Sequence, residues 1–285
     1  MITDRRSSTV FCVFSFFSFA FFLSPFFRSQ SPAAEMTDQD RRKQIVAYAA
    51  VDKYVKTGMR LGLGTGSTAT FVVERIGQLQ KEGKLADLLC VPTSEATRAQ
   101  AEKCGIPLTT LDGVDRALDL CIDGADEILL PSLMLVKGRG GALLREKMVA
   151  AASKTFLVVA DESKLVEKGV GSTGGVPVEI TKFSSEHTRR LLENLPCAQR
   201  HGGKAKFRLQ KNAKEENVEN RFVTDNGNFI VDLHFETPVE DIPGLHNAIK
   251  SVVGVVETGL FIGMASACMI AKSDGSVQEY LSETV

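Results

Sequence analysis

From residue 36 onward the apolar positions fall into two alternating rhythms. Between residues 38 and 55 acids lead, and Ile45 and Ala49, with Val46 and Ala50 beside them, recur at helical spacing until Gly58 ends the pattern. Residues 59–63 are a short apolar run that passes into Gly64, Thr65, Gly66, Ser67 and Thr68. Ala69, Val72, Val73, Ile76 and Leu79 then mark a second helix, with Ser67 or Thr68 as its expected cap. A strand is expected at 88–92, followed by a helix opening at 93–97, where Ser94 and Thr97 offer capping hydroxyls. Strands at 106–111, 118–122, 133–137 and 155–160 follow, the last two separated by a helix from 142 to about 153. Strands alternating with helices imply a mostly parallel sheet covered on both faces.

Residues 169–175 contain four glycines, the pattern of a domain boundary or hinge. The rhythm then changes. A strand at 176–180, a helix at 184–195 and strands at 204–209 and 222–224 are expected, with the charged stretch 211–221 as an exposed hairpin loop. Asn226-Gly227 favours a tight turn at 225–228, and 228–236 alternates apolar and polar residues. A helix at 243–252 and a strand within 253–261 complete a smaller α+β module. The fold class is therefore α/β with a second, smaller α+β domain. The large domain takes residues 36–174 and 263–285, and the small one 175–262.

The first 35 residues stand apart. Arg5 and Arg6 precede a run from Phe11 to Phe27 that holds nine of the seventeen phenylalanines, and small and polar residues follow before Met36. That is the pattern of a signal peptide. The alternative is an extension, with Met36 as the functional start. Pro25 and the shortness of the run argue against a membrane span.

Composition narrows the function. A net charge of −1 gives no field for nucleic acid or an anionic membrane. The six cysteines show no C-x-x-C spacing and several sit in apolar runs, as reduced buried thiols do. The four histidines form no ligand-spaced pair, so no metal or redox cofactor is expected.

Three loops after strands carry the candidate chemistry. In the first, Gly64 and Gly66 let backbone approach a ligand, and Thr65, Ser67 and Thr68 add hydroxyls at a helix N-terminus, where N–H groups bind phosphate. Ser67 replaces the third glycine of a dinucleotide fingerprint, and no Gly-Lys-Ser/Thr follows, so a small phosphate monoester fits better. A plain strand-to-helix turn is the alternative. In the second, Asp123 and Asp126 flank Gly124 and Ala125 at a strand end, where open α/β sheets bind ligands. The third runs Lys137, Gly138, Arg139, Gly140, Gly141 into a helix carrying Glu146. Lys137 can face an oxygen on which negative charge develops. Glu146, amid Leu143, Leu144, Met148 and Val149, is either a partly desolvated base or a solvated carboxylate paired with Arg145 or Lys147. Arg139 reads as a surface cation, and Lys164 as a strand-end cation near the phosphate. Together these point to proton transfer on a small phosphorylated sugar.

In these motifs, and in Arg145-Glu146-Lys147, Asp161 to Lys164, Pro177-Val178-Glu179 and Thr224 to Asn228, the chain closely resembles type A ribose-5-phosphate isomerase from residue 36 to the end. The resemblance implies a Rossmann-like α/β domain, homodimers or homotetramers, and metal-free interconversion of D-ribose 5-phosphate and D-ribulose 5-phosphate in the non-oxidative pentose phosphate pathway. It implies that residues 65–68 and Lys164 hold phosphate and that the loops 123–126 and 137–140 bind the sugar. Asp123 and Asp126 would help move hydroxyl protons, Lys137 would stabilise an enediolate oxygen, and Glu146 would shuttle a proton between C2 and C1. Arg139 departs from the glycine common in relatives. Gln44 stands where some relatives place a phosphate-contacting lysine, so that role is not carried over. A non-catalytic sugar-phosphate regulator and a nicotinamide oxidoreductase are the competing functions. The first lacks its DNA-binding module here, and the second its third glycine. The expected location is cytoplasmic, or organellar (plastid-type) or secretory where the leader is used.

Overall fold

The computed structural model describes residues 36–213 and 217–282. The signal-like leader, the centre of the charged loop at 214–216 and residues 283–285 lie outside the described residues. Chain order runs α1 (Asp38–Tyr54), β1 (Arg60–Leu63), α2 (Ser67–Lys81), β2 (Leu89–Pro92), α3 (Glu95–Cys104), β3 (Leu120–Asp123), β4 (Glu127–Leu129), β5 (Met134–Val136), α4 (Leu143–Ala151), β6 (Phe156–Asp161) and β7 (Leu165–Val166). It continues with β8 (Val176–Ile180), α5 (Ser185–Glu193), α6 (Pro196–Arg200), β9 (Lys204–Phe207), β10 (Phe229–His234), α7 (Ile242–Lys250), β11 (Val255–Thr258), β12 (Leu260–Phe261), β13 (Ala267–Ala271) and β14 (Val277–Leu281).

Six strands form the large sheet in the order β14-β13-β6-β3-β1-β2. All its pairs are parallel except β13 with β14. The central strands β3 and β6 are buried along their whole length because helices cover both faces. Alternate residues serve opposite sides. Leu120, Ile122, Leu157 and Val159 pack with α1 and α2, while Cys121, Phe156 and Val158 pack with Val149 of α4. Truncating Ile122, 2% exposed, to alanine is expected to cost about 2–5 kcal/mol. The five described cysteines are free thiols, three of them buried.

A second, antiparallel sheet has the order β11-β8-β10-β9. Val176, Val178, Ile180, Val231 and Leu233 of this sheet pack with Ile242, Leu245 and Ile249 of α7. A third, small sheet has the order β12-β5-β4-β7, and its strands have only two or three residues each. The fold is α/β, with a mostly parallel sheet and a separate antiparallel-sheet domain, and β13 and β14 bring the chain back to the large sheet.

Several elements differ from the expected ones. Residues 106–111 form only a bridge, Leu108 to Cys90, because Pro107 offers no N–H and the chain then turns at Leu111–Gly113. The expected strand 222–224 is reduced to isolated bridges, Leu209 to Arg221 just before it and Val223 to Phe229 within it. The helix expected at 184–195 stops at Glu193, and Pro196 opens another. The strand expected within 253–261 breaks at Gly259, where an added Cβ would lie 2.2 Å from the Lys137 carbonyl oxygen. Neither Ser67 nor Thr68 caps α2; Gly66, at φ 113°, occupies the cap. Ser94 does cap α3, accepting the Thr97 N–H.

Candidate active site

The site is assembled where the ends of β1, β3 and β5 meet the start of α4. Gly64 allows the first approach: an added Cβ would sit 2.2 Å from Asp123 Oδ1, so no other residue lets β1 pass so near β3. The next N–H, of Thr65, donates to that same oxygen at 3.0 Å, and the Gly124 N–H donates to it at 2.7 Å. The other oxygen, Oδ2, lies 3.0 Å from Lys137 Nζ. Lys137 Nζ also donates to the Gly124 carbonyl at 2.7 Å and lies 3.6 Å from Glu146 Oε1. Asp123, Lys137 and Glu146 are at most 3% exposed, so water screens this charge cluster little.

Burial pushes the Glu146 carboxyl up to about 8, with the Asp123 and Asp126 charges adding to the shift and Lys137 opposing it. Burial likewise raises Asp123 against the pull of Lys137 and the two N–H donors. For Lys137 burial acts downward, but the Asp123 and Glu146 carboxylates outweigh it and hold the ammonium protonated. Glu146 Oε2 is buried with no hydrogen-bond partner. An unsatisfied buried acceptor costs roughly 1–3 kcal/mol unless something else supplies the donor. The neighbours proposed to neutralise Glu146 are committed elsewhere. Arg145 reaches Glu95 at 2.7 Å and Asn226 at 2.8 Å, and Lys147 reaches Glu257 at 2.9 Å.

A small cavity of about 90 Å³ opens over this cluster. Its walls are residues 65–68, 124–126, Lys137, Gly138, Gly140, Glu146 and Lys164. The first turn of α2 faces it with no side-chain cap, which leaves N–H groups for an anion. Of the residues singled out in the sequence, Asp123 lies beneath the wall, fully buried. Arg139 differs from the expected surface cation. Its side chain is 25% exposed and turns away to Glu127 at 2.8 Å and Thr173 at 2.9 Å, because a fully buried carboxylate there requires a cation. What Arg139 directs toward the cavity is its N–H, which donates to Asp126 Oδ2 at 2.9 Å.

Some participants escaped sequence reasoning. Thr65 Oγ1 lies 2.7 Å from Thr93 Oγ1, 2.8 Å from Ser94 Oγ and 3.1 Å from Thr97 Oγ1, so a buried hydroxyl cluster steadies the phosphate-type loop. The hydroxyls at 94 and 97 were visible as caps; nothing local tied them to Thr65. Glu127 accepts from Gly171 N at 2.6 Å, Thr173 N at 2.8 Å and Thr173 Oγ1 at 2.6 Å, which holds the glycine-rich 169–175 segment in place.

Residues 89–275 match the family model described as ribose 5-phosphate isomerase A (phosphoriboisomerase A). The chain is 47% identical over 238 residues to ribose-5-phosphate isomerase of Plasmodium falciparum, covering 84% of this chain and 96% of that one. A solved structure of ribose 5-phosphate isomerase from Plasmodium falciparum, 45% identical, superposes with a TM-score of 0.79 over 86% of this chain and 99% of that one. A second, of a D-ribose-5-phosphate isomerase in complex with phospho-erythronic acid, is 33% identical with a TM-score of 0.76, over 86% of this chain and all of that one.

Proposed function

The chain belongs to the ribose-5-phosphate isomerase A family and is an aldose–ketose isomerase of the pentose phosphate pathway, and from that premise we propose which of its residues carry the reaction. The substrate is D-ribose 5-phosphate, converted to D-ribulose 5-phosphate through an enediolate. The phosphate is held by the open first turn of α2, the hydroxyls of Ser67 and Thr68, Gly66 and the Lys164 ammonium. Thr65 acts through its N–H on Asp123. Asp123, Asp126 and the backbone of Gly124, Ala125, Gly138, Arg139 and Gly140 bind the open-chain sugar, and the two acids move its hydroxyl protons.

A proton beside a carbonyl is weakly acidic, so its removal needs a positioned base and stabilisation of the oxygen that gains charge. Glu146 takes the proton from C2 and returns it to C1. Lys137 faces the enediolate oxygen. The observation that carries this assignment is Glu146 Oε2, buried without a partner in the wall of the cavity and within the field of Lys137. Neither metal nor cofactor has a step in this scheme, so turnover is expected in the presence of a chelator.

The test is Glu146→Gln, which keeps the shape and removes the base. In an assay of ketose formation with chelator present, kcat is expected to fall about 10²–10⁴-fold while ribose 5-phosphate still binds. Near-full turnover would overturn the assignment. A non-catalytic regulator is not favoured: it has no use for a buried carboxyl held near neutrality beside a lysine.

Beyond the chemistry, the domain division at 36–174 with 263–285 against 175–262 is supported by the strand orders of the two main sheets. A homodimer or homotetramer, supported by the family resemblance, is measurable by light scattering. The redox-neutral isomerisation supports placement in the non-oxidative branch. No helix among the described residues is long and apolar enough to cross a membrane. The proposed location is cytoplasmic, with organellar or secretory routing governed by the leader. A reporter fused to residues 1–40 reads this directly: diffuse cytosolic signal rules routing out.

A further inference from the structure

Arg208 lies just past β9, outside the cavity, and its guanidinium reaches across to the loop that follows Lys137. Nη1 donates to the carbonyl oxygens of Gly138 at 2.8 Å and Arg139 at 2.9 Å. The other edge of the guanidinium is fixed by Asp232 of β10, through Nε at 2.9 Å and through Nη2. Both side chains are largely buried, at 15% and 17% exposed. This is a two-sided clamp, with the planar fork of arginine seated on a carboxylate and aimed at two successive carbonyls.

The two carbonyls have a consequence for the opposite edge of the loop. A trans peptide is planar, and its C=O and N–H point in opposite directions. With the Gly138 carbonyl drawn to Arg208, the N–H of the same peptide, that of Arg139, points the other way and donates to Asp126 Oδ2 at 2.9 Å. With the Arg139 carbonyl also drawn to Arg208, the Gly140 N–H is turned to that same side, where Gly140 forms part of the cavity wall. Gly138, at φ 96°, supplies the backbone freedom this arrangement needs.

We propose that Arg208 is a positioning residue for the isomerisation: by holding the carbonyls of Gly138 and Arg139 outward, it orients their peptide N–H groups toward Asp126 and the sugar end of the substrate. It touches no reacting atom and acts only through the loop. This rests on the assignment of residues 137–140 to the sugar. The phosphate end, built from α2 and Lys164, is carried by other elements and does not depend on Arg208.

The test separates the two ends of the ligand. Binding of 4-phospho-erythronate, which offers a carboxylate at the sugar end, and of inorganic phosphate are measured by calorimetry on the full chain. The variants are Arg208→Lys, which keeps the charge and loses the fork, and Arg208→Ala. For both, affinity for 4-phospho-erythronate and kcat are expected to fall about 10- to 100-fold, with phosphate affinity unchanged. Because inactive protein lowers both binding capacities together, the ratio of the two dissociation constants is insensitive to partial misfolding. Millimolar guanidinium is expected to restore kcat in Arg208→Ala, and methylammonium is not. Equal loss at both ligands, or wild-type values for Arg208→Lys, overturns the proposal. If Glu146→Gln is inactive while Arg208→Lys is unchanged, the clamp alone fails. If Glu146→Gln is active, the site assignment beneath it fails.

Discussion

Glu146 and Glu127 are both withdrawn from water, 3% and 0% exposed, yet their proton affinities move in opposite directions. Around Glu127, burial is outweighed by the Thr173 hydroxyl and N–H, the Arg139 guanidinium and the Gly171 N–H, and the carboxyl falls below its ordinary value. Around Glu146, one lysine at 3.6 Å faces two other acids, one oxygen has no donor, and burial prevails. Burial alone therefore does not decide what a carboxylate does. The number of donors aimed at it does. A fully satisfied carboxylate fixes structure, and an under-satisfied one keeps capacity for a proton in transit.

The comparison is broken most forcefully at Lys137. Lys137→Met removes the cation shared by Asp123 and Glu146, and kcat is expected to fall about 10²–10³-fold. The acid limb of the pH–rate profile is expected to move to higher pH, since the Lys137 charge that favours ionised Glu146 is gone. An acid limb that stays in place would show that Lys137 does not feel the base.

The next effect needs no mutation. The working form of the proposed base, Glu146, is ionised and burial pushes its carboxyl up to about 8, so kcat/KM is expected to rise with pH through about 8 and to drop about tenfold per pH unit below it. Because Asp123 is coupled to the same lysine, the midpoint belongs to the cluster. A flat profile between pH 6 and 8 would contradict the raised carboxyl.

Stability sharpens the contrast, because the two groups contribute opposite slopes. Glu127, lowered in the folded state, stabilises above its unfolded value near 4.5, and that contribution is lost as pH falls. Glu127→Gln is expected to cost about 1–3 kcal/mol at neutral pH, read from Tm, with kcat changed only a few-fold. Glu146, raised, stabilises below its unfolded value and loses that contribution as pH rises through about 8. Glu146→Gln is therefore expected to raise Tm above pH 8, where wild type holds a buried charge.

The smallest effect is the control. Arg75 meets Asp52 at 2.8 Å on the outer surface, with the Asp52 side chain 46% exposed. Arg75→Gln is expected to change stability by about 0–1 kcal/mol. A larger loss would mean that counting donors is a poor guide on this molecule.

The strands and loops of the large sheet were legible because apolar runs there stop abruptly at glycines or acids. Leu63 gives way to Gly64, and Ile122 to Asp123. Of the small β12-β5-β4-β7 sheet, only β5 and an unplaced strand within 253–261 were, since two- and three-residue strands carry no period and pair across long stretches of chain, as Leu135 does with Phe261. Beside its leucines Glu146 read either as a desolvated base or as a paired, solvated carboxylate; its complete burial depends on Lys137 and Asp123 arriving from other strands. Arg139 was misjudged because its partner, Glu127, is set by the return of 169–175. Arg208 gave no local sign, as its role lies in which carbonyls it meets.

The large sheet closes late in synthesis. Strand β13, parallel to β6 on one side and antiparallel to β14 on the other, spans Ala267–Ala271, after the whole antiparallel domain. A nascent chain that has released β6 but not β13 carries an open edge along the fully buried strand β6, a template for unwanted pairing. The emerging polypeptide must complete the insert before this seam can be sealed, so chaperone demand is expected to peak in that interval.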